Sequence, residues 1–352
     1  MADEVFKPGM NSPKTLRAFV RKPFRFLLLL LGISIVAACQ VAEGRAISSE
    51  TQPGGTPPLA EEASSSPADR DTEGTLASTP TTMVPSIPAS PAALEPTEAA
   101  SSGNVDASDW KNLPIIPEIS EHALEIYERG VAAGHDPHAF SKIGDCQNVP
   151  SMFLSIFDRS GFFTLGEQYA YLQPTIDWFA GSFSRESQAV RRGFNAASVV
   201  SPLWANPESC EQGETPLECE LRLHNPSLAI VSLETWWAGK PENYEKYVRQ
   251  ILEGLIDQDV LPILATKADN LEGDHSINQI LVRLALEYDI PLWNFWAAVQ
   301  PLPNHGLSDD QFHLTFDVNE FDDPDVMRAA WPWRNLTALQ SLDAVRQAVA
   351  GP

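Results

Sequence analysis

Beyond residue 130 the chain is punctuated by four short runs rich in apolar side chains: His138 to Gly144 (HAFSKIG), Ser227 to Leu233 (SLAIVSL), Val260 to Thr266 (VLPILAT) and Ile290 to Phe295 (IPLWNF). Runs of this length built from Val, Ile, Leu and aromatics predict buried strands. Between the second and third runs, Tyr247, Ile251, Leu252, Leu255 and Ile256 recur at helical spacing within Asn243 to Gln258. Between the third and fourth, Ile277, Ile280, Leu281 and Leu284 do the same within Ser276 to Tyr288. Strands alternating with amphipathic helices predict an α/β domain whose mainly parallel sheet is covered on both faces. Reactive groups in such sheets sit just beyond the carboxyl ends of strands. That rule directs attention to Gly144-Asp145-Cys146, Glu234-Thr235-Trp236 and Lys267-Ala268-Asp269.

The pattern upstream is different. Lys7, Lys14, Arg17, Arg21, Lys22 and Arg25 precede the apolar run Phe26 to Ala38, the arrangement of a secretion signal. That run falls short of the ~20 apolar residues needed to cross a bilayer comfortably. It ends in Val36-Ala37-Ala38-Cys39, which resembles the lipobox of bacterial lipoproteins. The resemblance implies cleavage after residue 38, lipid on Cys39 and an exported protein anchored in a bacterial membrane. Gln40, rather than aspartate, follows the cysteine and favours surface display. A soluble secreted protein and an uncleaved anchor are the alternatives. Residues 39–108 are rich in Ser, Thr, Pro, Ala and Glu and cannot bury enough apolar surface to offset ordering entropy, so a disordered tether is expected. As a flexible coil it would span on the order of 45 Å. Residues 109–350 form the expected single domain and hold all 9 tryptophans.

Charge narrows the partners. A formal net charge of −23 repels phosphates and so excludes nucleic acid and an anionic bilayer surface as binding partners. The membrane contact expected is the lipid on Cys39 itself, and oligomeric state is not legible. The 4 cysteines have separate fates. Cys210 and Cys219 bracket a polar loop whose Gly213 and Pro216 turn the chain back, and in an oxidising compartment a local disulfide is the natural reading, with two surface thiols as the alternative. Zinc is disfavoured there because no histidine pair follows at ligand spacing. Cys146 is left over, which in an exported protein calls for an explanation.

Cys146 follows a glycine turn at the end of the first predicted strand, where a helix start would favour thiolate. Near the end of the domain, GLSDDQFHLT places Asp310 so that its carboxylate can orient His313. A nucleophile and an Asp/His pair are the parts of an acyl-transfer triad. The order and spacing resemble the SGNH/GDSL hydrolase superfamily over roughly Ala139 to Thr315. Its Gly-Asp-Ser block is matched by Gly144-Asp145-Cys146, and its Asp-x-x-His block by Asp310 and His313. The resemblance implies a three-layer α/β/α sandwich with a flavodoxin-like sheet, no cofactor or metal, and hydrolysis of an ester in an acylated small molecule, lipid or glycan. It assigns Cys146 as nucleophile, His313 as base and Asp310 as orienting carboxylate. Two departures stand out. Cysteine replaces serine, and Trp236 occupies the position of the family's oxyanion-hole asparagine. Loss of one such donor costs about 3–4 kcal/mol of transition-state stabilisation. The family's glycine donor maps onto Gly193, with Asn195 as a substitute amide. A catalytically degenerate domain binding surface glycan or a protein is the alternative function.

Other features have blander readings. The segment Lys267 to His275 is expected to be a solvated turn rather than a cation site. Trp236-Trp237, Trp293/Trp296 and Trp331/Trp333 are expected to pack in the core or at its rim more than to form a sugar platform. His305 is noted because it lies in the segment leading to Asp310.

Overall fold

The computed structural model describes residues 107–233 and 240–351. Cys39, the lipobox, the tether up to residue 106 and Trp236 lie outside the described residues, and the tether's last two expected residues, Ala107 and Ser108, belong to a 3-10 turn, Ala107–Asn112. In chain order the elements are α1 (Glu121–Ala133), β1 (Asp136–Gly144), β2 (Phe163–Thr164), α2 (Gln173–Trp178), α3 (Ala196–Val199), α4 (Pro216–His224), β3 (Pro226–Ser232), α5 (Pro241–Ile256), β4 (Leu261–Ala265), α6 (Ser276–Glu287), β5 (Leu292–Trp293), α7 (Phe295–Val299), β6 (Asn319–Glu320) and α8 (Ala330–Ala350). The main sheet runs β1-β3-β4-β5 and its ladders are parallel. On the other side of β1, Gly144 bridges in parallel to Val190. The expected α/β architecture with a mainly parallel sheet is therefore present.

Every residue of β3 and β4 is buried, which is why both read as continuous apolar runs rather than alternating ones. The fourth strand is shorter than its pattern suggests. The Asn294 side chain accepts from the Ala297 amide and starts α7, so the strand stops at Trp293. Helices α5 and α6 occupy the two windows read from periodicity. Capping fixes other boundaries: Ser120 accepts from Ala123 to open α1, and Thr215 and Glu218 form a reciprocal capping box at α4.

Successive strand side chains point to opposite faces, and β1 uses this with two buried polar neighbours. Ser141 Oγ donates to Glu220 Oε1 on α4 at 2.6 Å, whereas Lys142 Nζ donates to the Phe183 carbonyl at 2.7 Å. Helix α8 is enclosed on most sides through its first four turns, with Trp331, Arg334, Leu336, Leu339 and Leu342 buried. It bonds to the sheet through Trp293 Nε1, which donates to Thr337 Oγ1 at 3.0 Å.

Cys210 and Cys219 form the expected disulfide, with a Cα separation of 5.2 Å. Arg222 clamps the same loop through Glu214 at 2.5 Å. Closing a loop of sequence separation 9 removes unfolded-state entropy corresponding to about 2–3 kcal/mol. Replacing both cysteines with serine is expected to lower the denaturation midpoint accordingly, measured by urea titration. An unchanged midpoint would mean that the loop is already constrained without the bond.

Candidate functional site

The turn after β1 is built around close approach. A Cβ on Gly144 would lie 2.1 Å from Asn148 Nδ2 and 2.5 Å from the Ser232 carbonyl oxygen, so only glycine fits beside the end of β3. Asn148 Nδ2 donates to that same Ser232 carbonyl at 2.7 Å. Buried Asp145 caps the turn by accepting from the Gln147 amide at 3.0 Å. Cys146 opens a 3-10 turn, Cys146–Asn148, and is half-buried and outside any disulfide. The helix expected after this strand is thus one short turn, with Pro150 close behind. Activation of the thiol by a helix dipole thereby loses its basis. Gln147 is 3 % exposed, and neither polar atom of its side chain has a hydrogen-bond partner among the described residues.

The histidine segment is pinned at its neck. The Ser308 amide donates to the His313 carbonyl at 2.7 Å, and the Thr315 amide donates to the Gly306 carbonyl at 2.8 Å. Asn304 and His305, at φ 49° and 54°, lead left-handed into Gly306 at φ 74°. A Cβ on Gly306 would meet the Ala330 Cβ at 2.7 Å. This tight return is the structural content of the Asn-His-Gly lead-in. Within the loop, Asp310 Oδ1 accepts from the Phe312 amide at 3.1 Å and the His313 amide at 2.9 Å. Its Oδ2 lies 2.5 Å from His313 Nδ1. Burial by itself raises the Asp310 carboxyl, but the His313 ring and the two amides together outweigh it and hold the group below the usual aspartate value. Asp310 is therefore ionised at neutral pH. The stability gained from this depressed value is present above about pH 4 and is lost as pH falls through the folded value. With Nδ1–H directed at the carboxylate, Nε2 is the basic nitrogen of the neutral ring.

Helix α8 connects the two segments. The Trp331 amide donates to the Thr315 carbonyl at 3.1 Å, and the Ala330 amide to Thr315 Oγ1 at 3.0 Å. From the same first turns, Arg334 donates to Ser232 Oγ at 2.9 Å and reaches Asn148 Oδ1 at 3.4 Å. Its guanidinium also lies over the rings of Phe153, Trp293, Phe295 and Trp331, 4.7–5.9 Å from their centroids. The Cys146 turn and the His313 loop are thus both tied to the carboxyl end of the sheet through one buried side chain and the helix that carries it.

The secondary candidates fare unevenly. Gly193 is exposed in a left-handed turn at φ 83°, just after the Val190 bridge beside β1. Asn195 caps α3 by accepting from the Ser198 amide at 3.0 Å, and its Nδ2 makes no hydrogen bond among the described residues. Trp236 lies outside the described residues. Of the segment Lys267 to His275, Leu271, Gly273 and Asp274 lie exposed in a turn, as expected, but its first three residues are buried rather than solvated. Lys267 and Asp269 are each 1 % exposed, and Lys267 Nζ lies 2.6 Å from both Asp269 Oδ1 and Glu272 Oε2. A buried ammonium needs such partners, and three-residue patterns of charge in a turn do not reveal burial. Trp293 and Trp331 are buried, so those two cannot offer an open sugar platform. Sequence reasoning passed over Asn148, Ser232 and Arg334, because single polar residues in apolar segments carry no periodic signal. The scan of family models and the search of curated proteins both find no match to this chain.

Proposed function

We propose that this chain is a lipid-anchored, exported hydrolase of the SGNH type that cleaves esters through Cys146, His313 and Asp310. The observation that carries the proposal is the His313 ring held through Nδ1 by ionised Asp310, on a loop tied by α8 to the end of the sheet where Cys146 lies. The strand order β1-β3-β4-β5, with Val190 on the open side of β1, supports a flavodoxin-like three-layer sandwich as the fold. The lipobox supports anchoring through Cys39.

In the proposed cycle His313 Nε2 takes the Cys146 proton and the thiolate attacks the ester carbonyl. The tetrahedral oxyanion collapses, and the leaving alkoxide takes a proton from the imidazolium, which gives an alcohol and a thioester on Cys146. Water, deprotonated by His313, then attacks the thioester and releases the carboxylic acid and the thiol. The oxyanion donors that the family resemblance assigns on this reading are the Gly193 amide and Asn195 Nδ2, with Trp236 in place of the family's asparagine. The test is turnover of p-nitrophenyl acetate by the full-length chain. Activity above background that disappears in Cys146→Ala supports the proposal. Equal rates in the two proteins would leave the domain as a binding module.

A further inference from the structure

The turn that carries Cys146 holds one polar side chain in reserve. Gln147 follows the cysteine directly on the 3-10 turn Cys146–Asn148 and is almost fully buried. Both Oε1 and Nε2 of its carboxamide are buried without a hydrogen-bond partner among the described residues. The polar side chains on either side of the turn are engaged. Asp145 accepts from the Gln147 amide at 3.0 Å, and Asn148 donates to the Ser232 carbonyl at 2.7 Å while its Oδ1 faces Arg334 at 3.4 Å. A buried donor and acceptor left unpaired cost the fold the desolvation of each group. Methionine, of similar length, would avoid that cost, so the carboxamide is explained by a bond it makes only when a ligand arrives.

Three residues per turn send the side chains of Cys146, Gln147 and Asn148 outward at intervals of about 120°. Asn148 takes the direction of the sheet end, and Cys146 is the half-buried member of the three. Gln147 leaves the turn beside the thiol, and consecutive Cα atoms lie about 3.8 Å apart. Its long carboxamide therefore has the reach to meet an oxygen on a carbon bonded to the Cys146 sulfur. Thiolate attack moves the carbonyl π electrons onto that oxygen, where they stay until collapse returns them and expels the alkoxide. The family resemblance leaves Trp236 where a carboxamide donor is expected. Gln147 offers the same functional group from another place in the chain.

We propose that Gln147 is a catalytic residue whose Nε2–H donates to the oxyanion formed on the ester carbonyl as Cys146 attacks; this rests on the hydrolase reading above. A donor already shielded from water needs no reorganisation when the charge appears. Its unpaired state in the free protein is then stored strain that the transition state relieves.

The experiment compares full-length wild type, Cys146→Ala and Gln147→Met, the last of which keeps the side chain's length and removes both polar groups. It measures kcat and KM for p-nitrophenyl acetate and the midpoint of urea unfolding. The expected result in Gln147→Met joins two opposite changes. Turnover should fall, with kcat down about 10²–10³-fold and KM within about threefold. Stability should rise, with the urea midpoint up by roughly 0.5–1 M. A side chain that only held the turn together would lose stability along with activity. A midpoint that does not rise, a variant that fails to fold, an unchanged kcat or a loss confined to KM would each overturn the proposal. All four leave the hydrolase reading standing, provided that wild type turns the ester over and Cys146→Ala does not. Turnover absent from wild type, or equal in Cys146→Ala, overturns the hydrolase reading and this proposal with it.

Discussion

Replacing His313 with alanine is expected to lower kcat/KM for p-nitrophenyl acetate by about 10²–10⁴-fold, the usual contribution of a positioned general base. Without the imidazole, the Cys146 thiol loses the base that would take its proton. The 3-10 turn that carries it offers no long helix to compensate. Asp310→Asn tests a different part of the arrangement. The carboxylate meets His313 Nδ1 at 2.5 Å, and an amide in its place would no longer favour the tautomer with a basic Nε2. A loss of the same order is expected, with the His313 loop still closed by the backbone bonds Ser308–His313 and Thr315–Gly306. Because these residues act as a unit, the double variant should be little worse than either single one. Additive losses would mean that Asp310 acts on something other than the ring.

Replacing Lys142 with methionine is expected to stabilise the fold by about 2–4 kcal/mol at pH 6. Lys142 is 1 % exposed, and its one hydrogen bond among the described residues is to the Phe183 carbonyl. Burial, followed by the nearby Arg185 charge, pulls its pKa down to about 7, against the opposing pull of Glu220. The sign follows from which state binds more protons. Below pH 7 the ammonium is charged in both states, and the folded protein carries the full cost of burying it. Between about pH 7 and the ordinary lysine value near 10.4, the unfolded chain still holds a proton that the folded one has released, so this group's contribution to stability rises with pH. Urea titrations at several pH values should show that rise in wild type and its absence in Lys142→Met. Identical pH dependence in both proteins would mean that the lysine is not buried charged below pH 7.

Much of this was legible in the sequence. The buried strands were readable because parallel strands covered on both faces repeat apolar residues without interruption, as β3 does. Helices α5 and α6 were readable because one apolar stripe recurs along each. The shortness of β5 was not, since the capping role of Asn294 depends on where its side chain lands. At the site, Asp310 and His313 stood out because their interaction is local in sequence. Arg334 did not, although it reaches Ser232 and Asn148 across the fold, because long-range polar contacts leave no spacing to read. The buried network at Lys267 was misjudged for a related reason: charge in a glycine-containing turn looks solvated until the carboxylates of Asp269 and Glu272 are seen to enclose it.

The most direct measurement is the intact mass of the full-length chain after brief exposure to an acyl donor with a fast leaving group. Wild type should gain one acyl group, mapped by peptide digestion to Cys146 and released by hydroxylamine as expected for a thioester. His313→Ala should acylate far more slowly. Equal labelling of wild type and His313→Ala, or an acyl group found elsewhere than Cys146, would contradict catalysis by this cysteine and histidine.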